Sequence, residues 1–325
     1  MAKYRGQLPQ LSGPHSGVMF LTDSGLETDL IFNKGFDLPE FAAFPLLDDE
    51  EGRRALSDYY RAHAALARKH GMGFVLESPT WRANPEYGPK VGYEGEKLAA
   101  ANRAAIALMA EIRDVFETPG SPMVISGQVG PRGDGYQPGA LMTADEAEDY
   151  HSVQINMFRD SEADMVTALT LNYADEAIGY VRAAGAAGIP AVVAFTVETD
   201  GRLPTGQSLG EAITEVDEAT NAADGGGPAY YMINCAHPTH FAAVLDGEAP
   251  WASRIMGLRP NASKMSHAEL DNAEELDDGN PEELAREVVE LMRRLGSIKV
   301  IGGCCGTDLR HISAISAAIG ATTDE

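Results

Sequence analysis

The sequence predicts an α/β protein folded as a single (β/α)8 barrel over residues 1–325. Short runs rich in β-branched residues recur eight times, each is followed by a stretch with helical spacing, and no series of hairpin turns interrupts the alternation. That pattern points to a parallel sheet. Eight such units at this length fit a closed barrel better than an open doubly wound sheet, and no second domain or short repeat is needed.

The first run is Val18–Gly25, and after a polar loop Glu51–His70 has the charge density and apolar spacing of an amphipathic helix. Phe74–Thr80 follows, then the Ala-rich helix Glu94–Phe116. The third run, Val124–Gly130, leads to a helix from about Thr143 to Ser161, opened by the capping box Thr143-Ala-Asp-Glu146. Met165–Leu171 precedes helix Asp175–Ala187, which Gly188-Ile-Pro190 stops. Ala191–Glu198 leads through a Gly/Pro loop into helix Leu209–Ala223. Tyr230–Cys235 is followed by a helix starting near Pro238, and Arg254–Leu258 by a long polar segment and helix Pro281–Leu295. Lys299–Gly303 and a last helix from about Leu309 to Ile319 complete the pattern. The acidic insertion Ala262–Asn280 is expected to lie over the barrel mouth.

Hydrophobic residues make up 44% of the chain, enough for a sizeable core. With 49 acidic and 25 basic residues the formal charge is −24, which argues against a nucleic-acid partner, since phosphate binding relies on Lys and Arg. It mildly favours cationic small molecules. Apolar runs are short and broken by charges, so no membrane-spanning helix is expected. Met1–Gly17 is polar and lacks the apolar stretch of a secretory signal, so a cytoplasmic protein is expected. The oligomeric state is not legible.

The three cysteines argue against a disulfide framework and for a reduced compartment. Cys235 ends the sixth run and Cys304-Cys305 the eighth, so all three fall on the rim where barrel chemistry collects. Gly302, Gly303 and Gly306 flank the pair and allow its backbone to bend. Cysteines are often small buried hydrophobes, but that role does not explain their concentration at two strand ends. A bond between the adjacent pair would be strained and would leave Cys235 unexplained. Three sulfurs suit Zn²⁺ and leave the fourth tetrahedral position open. A thiol entering it would remain a nucleophilic thiolate near neutral pH, suited to attack on an activated methyl group. His237 is an alternative fourth ligand that would close the site. The competing functions are a zinc hydrolase with water in the open position and a non-catalytic thiol- or metal-binding barrel.

Ile233-Asn-Cys235 and Gly302-Gly-Cys-Cys-Gly-Thr307, in that order and separation, resemble the homocysteine S-methyltransferase family. That family includes betaine-dependent and S-methylmethionine-dependent enzymes and the N-terminal module of cobalamin-dependent methionine synthase. Thr22-Asp-Ser-Gly25, Glu77-Ser-Pro-Thr-Trp81, Gly127-Gln-Val-Gly-Pro131 and Arg259-Pro-Asn261 extend the likeness to nearly the whole chain. The resemblance implies a (β/α)8 fold, zinc on Cys235, Cys304 and Cys305, and methyl transfer from a small cationic donor (S-methylmethionine, S-adenosylmethionine or betaine) to the sulfur of homocysteine, giving methionine. It further implies a substrate pocket at Asp23, Glu77, Thr80, Trp81, Thr170 and Asn234, and no catalytic group beyond the zinc site.

Three departures from the family pattern are present, and the first two bear on the acceptor. The fourth strand of the family ends in Glu-Thr, whose Glu contacts the substrate ammonium, whereas this chain has Leu169-Thr170. Arg82 follows Trp81 where a smaller or neutral residue is usual, and Ser24 replaces a Gly. A related thiol carrying a carboxylate but no ammonium is therefore the alternative acceptor. Trp81, Tyr87, Tyr93 and Tyr136 lie on predicted rim loops, where aromatic rings would attract a cationic donor.

Overall fold

The eight strands close on one another in chain order, all parallel, in a computed structural model that describes residues 2–5, 17–222, 225–245, 247–273 and 275–323. They are β1 (Phe20–Leu21), β2 (Gly73–Glu77), β3 (Met123–Val129), β4 (Met165–Leu171), β5 (Ala191–Phe195), β6 (Tyr230–Asn234), β7 (Ile255–Arg259) and β8 (Val300–Ile301). Phe20 pairs with both Gly73 and Val300, which seals the ring. The principal helices are α1 (Glu50–Lys69), α2 (Gly95–Phe116), α3 (Ala144–Arg159), α4 (Ala174–Ala187), α5 (Leu209–Ala219), α6 (Pro238–Phe241), α7 (Pro281–Leu295) and α8 (Leu309–Thr323).

Strand alternation divides the core into two layers. Phe20, Val75, Val124, Met165, Val192 and Tyr230 point into the lumen and fill it. Phe74, Leu76, Ile125, Val166 and Val193 point outward and pack with the apolar faces of the helices. Apolar atoms removed from water on both faces stabilise the ring at roughly 25 cal/mol per Å². Asp164 closes the floor: its carboxylate accepts the backbone N–H groups of Lys3 and Tyr4, each at 2.6 Å, and faces Arg113 at 3.4 Å.

The expected capping box is present, with Thr143 accepting from the backbone of Glu146. Two expected strands are shorter than the β-branched runs suggest. Val18–Gly25 yields only Phe20–Leu21, and Lys299–Gly303 only Val300–Ile301. Past both short strands the backbone pairing continues irregularly into the mouth: Thr22 N–H donates to the carbonyl of Ile301 at 2.8 Å and Gly303 N–H to that of Asp23 at 2.9 Å. The helix expected to run to Ala223 ends at Ala219, and Asn221 turns with φ 52°.

The insertion 262–280 does cover the mouth. It carries a one-turn helix, His267–Asp271, capped by Ser266 and Glu269, and Ala262 N–H donates to the carbonyl of Cys305 at 3.1 Å. Among the described residues, no helix is long and apolar enough to cross a membrane.

Candidate metal centre

Cys235 follows β6 directly, and Cys304 and Cys305 follow β8 after two glycines. Their sulfurs all lie within 4.8 Å of one another. Cys235 adopts φ 55°, an uncommon conformation for a residue with a Cβ, and this turns its side chain off the strand. On the other side, Gly306 takes φ 78°, which lets the Cys304–Cys305 loop fold back under the insertion.

The expectation of unpaired thiols needs correction at one point. Cys235 and Cys304 are joined as a disulfide, with Cα atoms 5.3 Å apart, and Cys305 is free. The convergence that suits a common metal also brings two thiols within bonding reach. The donor set fits zinc once that bond is reduced: Cys235 and Cys305 sulfurs stand 3.7 Å apart, against about 3.8 Å for the edge of a tetrahedron with Zn–S of ~2.3 Å. Burial pushes the metal-free Cys305 thiol up to about 11, so metal binding there must displace a proton.

Polar groups position the sulfurs. Asn234 accepts the backbone N–H of Thr170 at 2.8 Å and donates to Thr170 Oγ1 at 2.9 Å. Its amide also lies 3.8 Å from Cys304 Sγ, a donor aimed at sulfur. Thr170 itself has φ 65°, so Asn234 holds a strained strand end in place. Tyr136 Oη lies 3.5 Å from Cys235 Sγ and 3.7 Å from Cys305 Sγ, and its ring stacks on His267 with centroids 4.0 Å apart. His267 Nε2 donates to the carbonyl of Cys235 at 2.7 Å. His237 is not a ligand: it caps α6, accepting from the backbone of Thr239, and its Nε2 lies 3.4 Å from Glu287.

Below the sulfurs lies a buried charge cluster. Arg259 pairs with Asp23 at 2.9 Å and donates to the carbonyls of Gly303 and Ser24 at 3.0 and 3.2 Å. Glu77, inside the lumen, is pushed up to about 7 by burial, against the lowering influence of Arg259 and hydrogen bonds from Ser126 and Thr167. Tyr59 donates to Asp23 at 3.3 Å, and Ser24 Oγ lies 3.0 Å from both Tyr59 Oη and His63 Nε2. The serine at this position thus has partners that a glycine would lack.

The remaining expected substrate residues divide into wall and frame. Trp81 is half-buried at the rim, its indole N–H donating to the carbonyl of Leu169 at 3.3 Å. Thr80 is fully buried and donates to the carbonyl of Gln128 at 2.7 Å, so its hydroxyl is committed to the frame. Leu169 packs in the lumen and brings no charge.

The aromatic rim differs from the expected cation cage, because the protein supplies its own partners. The Arg82 guanidinium lies 4.0 Å from the ring centre of Trp81 and 3.7 Å from that of Tyr87. Lys97 covers Tyr93, whose hydroxyl donates to Asp48, and Tyr136 is stacked on His267. Missed at the sequence level were Glu27, Tyr59, His63 and His267. None of these carried a local signal, since Glu27 stands between Asp23 and Asp29 in a polar turn.

A family model described as homocysteine S-methyltransferase matches residues 21–319. Among solved structures, the chain is similar to the homocysteine methyltransferase MmuM from Escherichia coli. The metallated form gives a TM-score of 0.70 at 17% identity, covering 92% of this chain and 96% of that one. The oxidized form gives 0.72 at 17% identity, covering 92% and 95%. Methionine synthase from Mycobacterium leprae (strain TN) is 28% identical over 137 residues, a match spanning 42% of this chain and 10% of that relative. At such identities a structural likeness speaks for the fold alone, whereas the family model runs from β1 into α8. The chain therefore belongs to the homocysteine S-methyltransferase family and folds as a (β/α)8 barrel.

Proposed function

We propose that this protein is a zinc-dependent S-methyltransferase that moves a methyl group from a small cationic donor to the thiol of homocysteine, giving methionine. The observation that carries the reading is the meeting of Cys235, Cys304 and Cys305 at one point of the barrel mouth, with sulfur spacing suited to a tetrahedral metal. Zinc, when held there, supplies Lewis acidity that lowers the pKa of a joining thiol and keeps its sulfur nucleophilic.

The chain's own residues supply position and a dry setting. Asn234 orients Cys304 and fixes the end of β4, while Tyr136 and the insertion at His267 screen the sulfurs from water. Asp23, Glu77, Thr80, Trp81, Thr170 and Asn234 are proposed to form the acceptor pocket, with Thr80 and Thr170 acting through the backbone they hold. No protein base would be required at the methyl-transfer step, because a thiol on the bound metal would already have released its proton to solvent. With the rim aromatics already engaged, attraction of a cationic donor falls to carboxylates and to the formal charge of −24.

The test is a donor screen on reduced, zinc-loaded protein with homocysteine and S-methylmethionine, S-adenosylmethionine or betaine, reading methionine by mass. Cys235→Ala, Cys304→Ala and Cys305→Ala are each expected to lose zinc and activity together. Full turnover by a metal-free double variant would overturn the reading.

A further inference from the structure

Glu27 sits in the first turn after β1, on a segment fastened to the cysteine loop. Gly25 N–H donates to the carbonyl of Thr307 at 3.1 Å, and Thr28 Oγ1 accepts from Gly306 N–H at 3.1 Å. A Cβ on Gly25 would stand 2.5 Å from the carbonyl oxygen of Cys304, so the two segments are in direct contact. These contacts hold Glu27 beside the sulfurs, and its charge acts on both Cys305 and Arg82. Glu27 is half-buried, and among the described residues the hydrogen bond to its carboxylate comes from its own backbone N–H.

Arg82 faces the same space from the loop after β2. It is 7% exposed, sandwiched between Trp81 and Tyr87, and donates to the carbonyl of Gly133 at 2.9 Å. Its Nε is buried without a partner among the described residues. Of the other charges nearby, Glu77 on β2 is hydrogen-bonded with Ser126 and Thr167 and keeps one buried oxygen, Oε2, without a partner among the described residues. Asp23 and Arg259 pair with each other, and Asp134 accepts the backbone N–H groups of Tyr136 and Gln137. Glu27 and Arg82 are thus opposite charges with capacity left for a ligand, and the charge of Glu27 acts on Cys305.

We propose that Glu27 and Arg82 form a split clamp for a zwitterionic thiol, Glu27 receiving its ammonium beside the sulfurs and Arg82 receiving its carboxylate. A sulfur site, an anion and a cation that act on one another are the counterparts of the thiol, ammonium and carboxylate of an α-amino acid whose side chain ends in a thiol, the last two groups branching from one carbon. The clamp restores from β1 and β2 the charge recognition that Leu169 does not provide at the end of β4. This inference deepens the methyl-transfer reading and rests on it in placing the acceptor sulfur at the three cysteines.

The experiment measures thiol binding by calorimetry on the reduced, zinc-loaded full chain, without a methyl donor. Homocysteine is compared with γ-mercaptobutyrate, which lacks the ammonium, and with homocysteamine, which lacks the carboxylate. The parent protein is expected to bind homocysteine about 10- to 100-fold more tightly than either analogue, the range for a charged hydrogen bond. Glu27→Gln should lose the preference over γ-mercaptobutyrate and keep the preference over homocysteamine, and Arg82→Gln should do the reverse. Arg82→Lys, which keeps the charge, should retain part of the preference and controls for a loosened rim. Unchanged ratios in Glu27→Gln or Arg82→Gln, or a parent protein that does not discriminate, would overturn the clamp. If the ratios behave as stated but no donor yields a thioether, the methyl-transfer reading fails and the clamp stands; if no thiol binds, both fall.

Discussion

The guanidinium of Arg259, at the end of β7, lies 2.9 Å from the carboxylate of Asp23, just beyond β1, and each side chain is 3% exposed. The pair spans β8, which lies between those strands, and Arg259 also holds the carbonyls of Gly303 and Ser24. It braces the loop that presents Cys304 and Cys305. Removing one partner of a buried pair leaves an uncompensated charge. Asp23→Ala is therefore expected to lower stability by about 3 kcal/mol or more in urea denaturation, and Asp23→Asn by less, since it keeps an acceptor. A loss within measurement error for Asp23→Ala would mean that another acid, Glu77 foremost, carries the charge of Arg259.

Glu77 gives a stability effect with a definite sign. Its folded carboxyl is raised to about 7 by burial, above an unfolded value of about 4.3. The folded state therefore keeps a proton that the unfolded chain releases, and this contribution is full below about pH 4.3 and lost as pH rises through about 7. Glu77→Gln keeps the shape and removes the titration. Its stability relative to the parent should rise between pH 4 and pH 8 by roughly 3 kcal/mol, read from denaturation midpoints at matched ionic strength. A difference that stays flat across that range would place Glu77 with an ordinary carboxylate.

Asn234 links strand geometry to sulfur chemistry. Asn234→Ala would strand the buried backbone N–H of Thr170, at a cost of about 1–3 kcal/mol, and would free a residue held at φ 65°. Thermal unfolding should fall by several degrees. Zinc affinity should fall too, because the donor to Cys304 is lost.

The barrel was legible because strands buried on both faces need continuous β-branched runs, and helices need amphipathic spacing; Ala191–Phe195 and Pro281–Leu295 show both plainly. The ends of β1 and β8 were not, because Thr22, Asp23, Gly302 and Gly303 continue the runs in sequence and still pair through their backbones, but outside the regular ladder. The cysteine cluster was legible from its strand-end positions, but not the disulfide between Cys235 and Cys304, which depends on a 5.3 Å approach set by φ 55° at Cys235. Trp81 and Tyr87 looked open to a ligand cation because sequence gives no sign that Arg82 folds between them. Glu27 was hidden for another reason: an acid in the first turn of a helix is ordinary.

Tyr136 tests the surroundings of the metal. Its hydroxyl faces the sulfurs of Cys235 and Cys305, and its ring is fixed by stacking on His267. Tyr136→Phe keeps the stack and removes the hydroxyl. Loss of such an outer partner costs about 10-fold or more in metal affinity, so chelator competition should show weaker zinc binding with unchanged unfolding of the metal-free protein. Equal affinity would show that the hydroxyl does not act on the sulfurs.

The most direct test is zinc-edge X-ray absorption on the reduced, zinc-loaded chain, with and without homocysteine. Three sulfur neighbours at about 2.3 Å and one lighter atom are expected without the thiol, and four sulfurs with it. A spectrum that homocysteine leaves unchanged, or a first shell with fewer than three sulfurs, would contradict the account.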